Sequence, residues 1–306
     1  MSNKVEPNTV LKNQNLMHLL KKAHGLWESD DIEKQRSSQD RLGGLLNHSK
    51  DYAFGDVDLQ GVHGEWTMVN RAHNKRQVIL HCHGGGYSTG STIYARSITT
   101  KLAQNTNMRV LAFDYRLAPE YPYPAALEDA MKAWNHLMLL GFGAKDVIVT
   151  GDSAGGNLAL TLCLKLKKEK RMLPKALFLM SPWTDMTASG ESYETRKDVD
   201  PVLDAEYIDK ITKVYVPEGQ DLKDPFLSPL YADYKNFPPV YIQVGDNEIL
   251  LDDAVRLRNK LKEEGVQCRL DIFPGMWHVF QMSPFKTAEE AMDTAAEFII
   301  GQMTKG

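Results

Sequence analysis

Disulfide chemistry is the first thing this sequence has little material for. Its three cysteines, Cys82, Cys163 and Cys268, are odd in number and widely spread, with no C-x-x-C spacing. They read as reduced, mostly buried thiols rather than a disulfide framework. Long apolar runs are missing too: none approaches the ~18 residues of a membrane span. The first nine residues are polar and lack the basic-then-apolar order of a secretory signal. An excess of one charge is also absent. Lys and Arg number 36 against 40 Asp and Glu, a net charge of −4, which gives no pull toward nucleic acid or an anionic membrane. No internal repeat or low-complexity tract is present. The expectation is a cytoplasmic protein with no nucleic-acid partner and no stable membrane insertion. Whether it forms a homodimer is left open.

Material for a core is there. With 306 residues, 42% of them hydrophobic, the chain suits one large α/β domain with an insertion, or two small domains. Residues 10–48 are charged, with leucines at helical spacing. Mixed charge on the polar side favours packing on the protein over lying on a membrane. Short strands follow at 57–62 and 66–69, with His63-Gly64 between them as a hairpin signal. Six more apolar runs read as strands: 78–80, 110–113, 147–149, 177–179, 240–242 and 270–272. Helical stretches at 92–105, 125–140, 156–170, 252–264 and 286–302 alternate with most of them. Alternation of this kind predicts a mainly parallel sheet with helices on both faces and the hairpin at one edge. Residues 183–236 break the pattern with prolines, aromatics and polar residues, a long excursion of the sort that serves function.

The chemistry centres on Gly151-Asp152-Ser153-Ala154-Gly155-Gly156, a G-x-S-x-G pattern between an apolar strand and a helix. Glycines on both sides of Ser153 permit a sharp turn that presents the hydroxyl at a helix N-terminus, so Ser153 is the candidate nucleophile. Upstream, His83-Gly84-Gly85-Gly86 follows a strand. Acyl transfer through a serine passes through a tetrahedral oxyanion, which backbone N–H groups can stabilise if no side chains intervene. The amides of Gly84, Gly85 and Ala154 are the expected donors, with His83 holding the loop by hydrogen bonds. His278, past the last strand after a Pro274-Gly275 turn, is the candidate base because the histidine follows the serine in this chain order. His18, His24, His48, His63, His73 and His136 read as surface residues. His81 and His83 lack further ligands, so no metal is expected. The acid should follow the strand at 240–244, where Asp246, Glu248, Asp252 and Asp253 compete.

Together these segments, with Asp114-Tyr115-Arg116-Leu117-Ala118-Pro119-Glu120 and Ser181-Pro182-Trp183-Thr184-Asp185, resemble the bacterial hormone-sensitive-lipase-like (family IV) α/β-hydrolase esterases across residues 55–300. The resemblance implies an α/β-hydrolase fold: a mostly parallel eight-stranded sheet flanked by helices, with a helical cap. It divides the chain into an N-terminal part of the cap (1–50), a first core segment (51–182), the cap insertion (183–236) and a second core segment (237–306). The family's acid motif resembles G-x-x-D-P-L. Alignment on Gly245 places Glu248-Ile249-Leu250 there, so glutamate stands for aspartate and isoleucine for proline. Glu248 is then the expected acid, Asp246 the runner-up and Asp252 a helix N-cap. The segment 114–120 is expected to form ion pairs near the core. Trp183, Tyr193, Tyr207, Tyr215, Phe226 and Tyr87 are candidates for lining the pocket. The implied activity is a carboxylesterase-type serine hydrolase acting on short- to medium-chain esters, with aryl esters or lactones in range, through a Ser-His-Glu triad and no cofactor. An amidase or peptidase of the same fold stays open, because fold does not set substrate. A non-catalytic small-molecule receptor is the other reading, and the retention of His278 with Ser153 argues against it.

Overall fold

The computed structural model describes residues 31–44 and 50–305. Of the helical reading over 10–48, only a helix α1, Ile32–Gly44, falls among them. His18, His24 and His48 lie outside the described residues. Eight strands form one sheet in the order β1-β2-β4-β3-β5-β6-β7-β8. They are β1 (Tyr52–Asp58), β2 (His63–Val69), β3 (Asn74–Cys82), β4 (Met108–Phe113), β5 (Val147–Asp152), β6 (Ala176–Met180), β7 (Val240–Gly245) and β8 (Cys268–Phe273). Only β2 runs against its neighbours; β3 to β8 are mutually parallel.

The predicted hairpin forms, but its turn is displaced. Residues 59–62 make it: the Leu59 N–H donates to Val62 O at 2.8 Å, and Gly61 takes φ +85°, backbone that glycine adopts without steric cost. His63 and Gly64 are instead the first residues of β2, opposite Asp58 and Val57.

Parallel strands crossed by helices are covered on both faces, which is why β5, β6 and β7 read as continuous apolar runs and are buried throughout. The two-residue period sorts their side chains. Val147, Val149, Leu177 and Leu179 enter one core cluster, and Ile148, Ala176, Phe178 and Met180 another. On the first face pack α3 (Ala125–Leu139), α4 (Ala154–Lys168) and α7 (Leu251–Glu263). On the second pack α2 (Thr92–Thr106) and α8 (Lys286–Thr304). The excursion between β6 and β7 holds a single-turn helix α5 (Ser192–Thr195), then α6 (Ala205–Tyr215), whose Ile208, Ile211 and Tyr215 join the first cluster. No helix among the described residues is long and apolar enough to cross a membrane.

Candidate active site

Because β3, β5, β7 and β8 are parallel, their C-terminal ends lie along one edge of the sheet. The loops leaving them carry His83–Gly86, Ser153, Glu248 and His278. Ligand sites in open α/β sheets form at this edge.

Ser153 sits between β5 and α4 with φ +55° and ψ −121°, a strained conformation that tight neighbours impose. A Cβ on Gly151 would stand 2.1 Å from Gly155 O, and one on Gly155 would stand 2.0 Å from Cys82 O. The turn therefore admits no side chain at either position. The Ser153 N–H donates to Met180 O at 2.9 Å and its carbonyl accepts from Trp183 N–H at 3.1 Å, fastening the elbow to the end of β6. Helix α4 begins here, two residues earlier than the sequence pattern suggests, and its basic last turn of Lys165, Lys167 and Lys168 complements the dipole.

The glycine loop differs from expectation at one position. The Gly84 N–H donates to Asp152 Oδ1 at 3.0 Å, so it is not available to an oxyanion. Asp152, fully buried, also accepts from Tyr94 Oη at 3.3 Å and has His81 Nε2 at 3.4 Å. Gly85 and Gly86 have φ of +111° and +61°, which turns the chain so that the next amides face elsewhere. Among the described residues, the N–H groups of Gly85, Gly86 and Ala154 meet no acceptor. His83 Nδ1–H donates to Gly84 O at 2.8 Å, and the ring stacks on Tyr115 at 4.1 Å. Burial lowers its basicity, so it stays neutral.

His278 is buried, and its Nδ1–H donates to Glu248 Oε2 at 2.9 Å. The other Glu248 oxygen accepts from Gly245 N–H at 2.6 Å and from Ser181 Oγ–H at 2.8 Å. Ser181 Oγ in turn accepts from Val279 N–H at 3.1 Å. One hydroxyl thus ties Glu248, the residue after His278 and the strand end that holds Ser153. Burial works against protonating His278, but the Glu248 hydrogen bond and charge, with Asp200 and Asp152 beyond, outweigh it and raise its pKa. With Nδ1 donating to a carboxylate, Nε2 is left as the basic nitrogen. Asp246 instead accepts from Gly275 N–H at 2.7 Å, fixing the turn before His278. Asp252 is not an N-cap. It lies inside the first turn of α7 and accepts from Ser192 N–H at 2.8 Å.

The remaining candidates separate by burial. Trp183, Tyr193 and Tyr215 are core residues. Tyr87 is equally buried, as a strut: its ring stacks on Tyr215 at 3.9 Å and its hydroxyl donates to Asn157 Oδ1 at 2.8 Å. Phe226 lines a groove of about 430 Å³ with Tyr123, Leu127 and Lys168, which includes neither Ser153 nor His278. Helix α6 overlies the glycine loop closely: a Cβ on Gly86 would meet Ile211 Cδ1 at 2.8 Å and the Tyr207 hydroxyl at 3.1 Å. In the segment 114–120 the ion pairs form, but mainly toward the surface. Arg116 reaches the buried Asp129 at 2.8 Å, Asp114 pairs with His63 at 2.6 Å, and Glu120 pairs with Arg36 of α1 at 2.8 Å. Sequence reasoning did not single out Asp152, Asn157, Ser181 or Arg36 for these contacts. Two of them stood inside quoted motifs, and nothing in the sequence marks a contact 52 residues away such as that of Arg36 with Ser88 O.

Fold and site together define an α/β hydrolase with a serine elbow. A sequence model for the alpha/beta hydrolase fold matches residues 79–282. The chain is 38% identical over 261 residues to an esterase of Acinetobacter venetianus, covering 85% of this chain and 86% of that one. It is 36% identical to an acetyl-hydrolase of Streptomyces hygroscopicus over 74% of this chain and 75% of that one. A crystal structure of an esterase from the bacterial hormone-sensitive lipase family superposes with a TM-score of 0.90 at 32% identity, covering 98% of this chain and 100% of the other. The chain belongs to the α/β-hydrolase fold family, in the branch of the bacterial hormone-sensitive-lipase-like esterases, and is a carboxylesterase-type hydrolase.

Proposed function

We propose that this protein hydrolyses short- to medium-chain carboxylic esters through an acyl-enzyme on Ser153, with His278 as base and Glu248 as the acid that orients it. The observation that carries the reading is the His278–Glu248 pair, held by Ser181 against the end of β6, to which the Ser153 elbow is fastened. His278 Nε2 takes the proton of Ser153 as Oγ bonds the ester carbon and the carbonyl electrons move to oxygen. That oxyanion falls to the free amides of Gly85, Gly86 and Ala154 rather than to Gly84, and each such donor is typically worth ~10²-fold or more in rate. Collapse breaks the bond to the alcohol, which leaves with the proton from His278. Water, deprotonated by the same nitrogen, then releases the acid. No step requires a metal or cofactor.

In this reading α1 and residues 183–236 form the cap, over a core of 51–182 and 237–305; nearly all the rest of the predicted N-terminal cap segment lies outside the described residues. Support for short acyl chains comes from Ile211 and Tyr207, which crowd the glycine loop, and from the acetyl-hydrolase among the relatives. A nitrophenyl ester series from acetate to laurate tests it. Turnover should fall steeply beyond medium chains; equal turnover of laurate and acetate would refute the limit on chain length.

A further inference from the structure

The segment between α5 and α6 runs over the surface, yet one of its acidic side chains turns inward. Lys197, Asp198 and Val199 are exposed, whereas Asp200 is 2% exposed. Its Oδ1 accepts from the N–H groups of Val202 at 2.8 Å and Leu203 at 2.9 Å, which folds the segment back on itself. Its Oδ2 accepts from Ile249 N–H at 2.8 Å. Ile249 follows Glu248 directly and precedes α7, so this amide has no helical acceptor of its own. Val202, two residues on, packs against the apolar cluster of Met276, Trp277 and Phe280, residues that flank His278 in the chain. A single turn of chain therefore grips the acid loop by a hydrogen bond and the base loop by apolar contact.

We infer that Asp200 is a positioning residue, which fastens the segment between α5 and α6 to the acid loop and so sets where Glu248 holds His278. The inference rests on the catalytic reading above. Turnover then depends on that segment being docked. The charge of Asp200 also counts. Burial pushes its carboxyl up to about 6, while the charge of His278 pulls it back down. The titratable groups facing His278 are Glu248 in direct contact and Asp200 and Asp152 farther off, all carboxylates. Above about pH 6 the imidazolium that forms during proton transfer has the charge of Asp200 to stabilise it.

The test is kcat and KM for p-nitrophenyl acetate between pH 5 and 9, with melting temperatures, for the full chain and for Asp200→Asn, Asp200→Glu and Ser153→Ala. Asp200→Asn should lower kcat about tenfold or more, since misplacement of a catalytic group by about 1 Å can cost 10²-fold, with KM within about twofold. Its acid limb in kcat/KM should move to lower pH by ~0.5 unit, because His278 loses a neighbouring negative charge. Asp200→Glu should leave that limb in place and still lower kcat, because the longer side chain displaces Ile249. A limb unmoved in Asp200→Asn, or kcat and KM that worsen together with the limb unmoved, overturns the inference. If Asp200→Asn does not fold, Asp200→Glu decides: wild-type kcat there overturns it. Turnover surviving in Ser153→Ala would refute the catalytic reading itself, whereas turnover lost there with unmoved Asp200 variants refutes this inference alone.

Discussion

Replacing Glu248 with glutamine has a consequence that can be worked from the bonds around it. Glu248 Oε1 serves two donors, the Gly245 N–H and the Ser181 hydroxyl, and Oε2 serves His278 Nδ1–H. A glutamine has one oxygen to divide between these sides. The Gly245 amide is fixed in the backbone and cannot turn its proton away, and leaving it unpaired in the core costs ~1–3 kcal/mol. The carboxamide oxygen is therefore expected on that side, with its NH2 toward His278. Nδ1 must then accept, so the ring proton moves to Nε2, the nitrogen that should receive the proton of Ser153. In the Ser-His-Asp template the corresponding wrong tautomer lowers kcat by ~10⁴, about 5.5 kcal/mol at the transition state. Glu248→Gln should accordingly lose between about 10³- and 10⁴-fold in kcat on p-nitrophenyl acetate, with KM little changed and the melting temperature close to wild type. Asp246→Asn provides the comparison. Its one relevant bond, accepted from Gly275 N–H, survives in the carboxamide, so less than about a tenfold loss is expected. Glu248→Gln retaining a tenth or more of wild-type kcat, or Asp246→Asn losing more than Glu248→Gln, would refute the assignment of the acid.

Two further perturbations test other parts of the account. Arg36 spans Ser88 O at 3.0 Å, Ala118 O at 3.1 Å and Glu120, and so holds the outer side of the glycine loop. Arg36→Lys keeps the charge but not the planar fork and should lower kcat severalfold with little change in KM; steady-state kinetics identical to wild type would show that α1 does not brace the loop. Burial pushes the Asp253 carboxyl up to about 7, while in the unfolded chain it titrates near 3.9. The folded state thus keeps this proton where the unfolded chain has released it, so the group's contribution to stability falls as pH rises from about 4 to about 7. Asp253→Asn keeps an acceptor for the Thr184 and Asp185 amides and cannot ionise. Urea unfolding at pH 5 and 8 should show a smaller loss of stability with pH than wild type, and an unchanged difference would contradict this.

The parallel core was the most legible part of the chain, because buried strands and amphipathic helices each carry a period. The helices that flank the sheet stand within two residues of their predicted ends. The hairpin turn was misplaced because His63-Gly64 imitates a turn dipeptide, while the Gln60-Gly61 pair, with φ of 62° and 85°, makes the bend. At the site, motif spacing pointed to the elbow, the glycine loop and His278, the residues on which the proposed function rests. It could not show which glycine amide is free, since that depends on Asp152, 68 residues from Gly84 and joined to it by a hydrogen bond. Asp200 and Arg36 carried no local pattern at all. Their roles come from pairing across the fold, which a linear sequence does not display.

The central claim is that Ser153 forms the acyl-enzyme, and the direct measurement is hydrolysis of p-nitrophenyl acetate by wild type and by Ser153→Ala at equal folded concentration. The account predicts rapid turnover by the first and loss to near the uncatalysed rate in the second. Turnover that survives the substitution would contradict it.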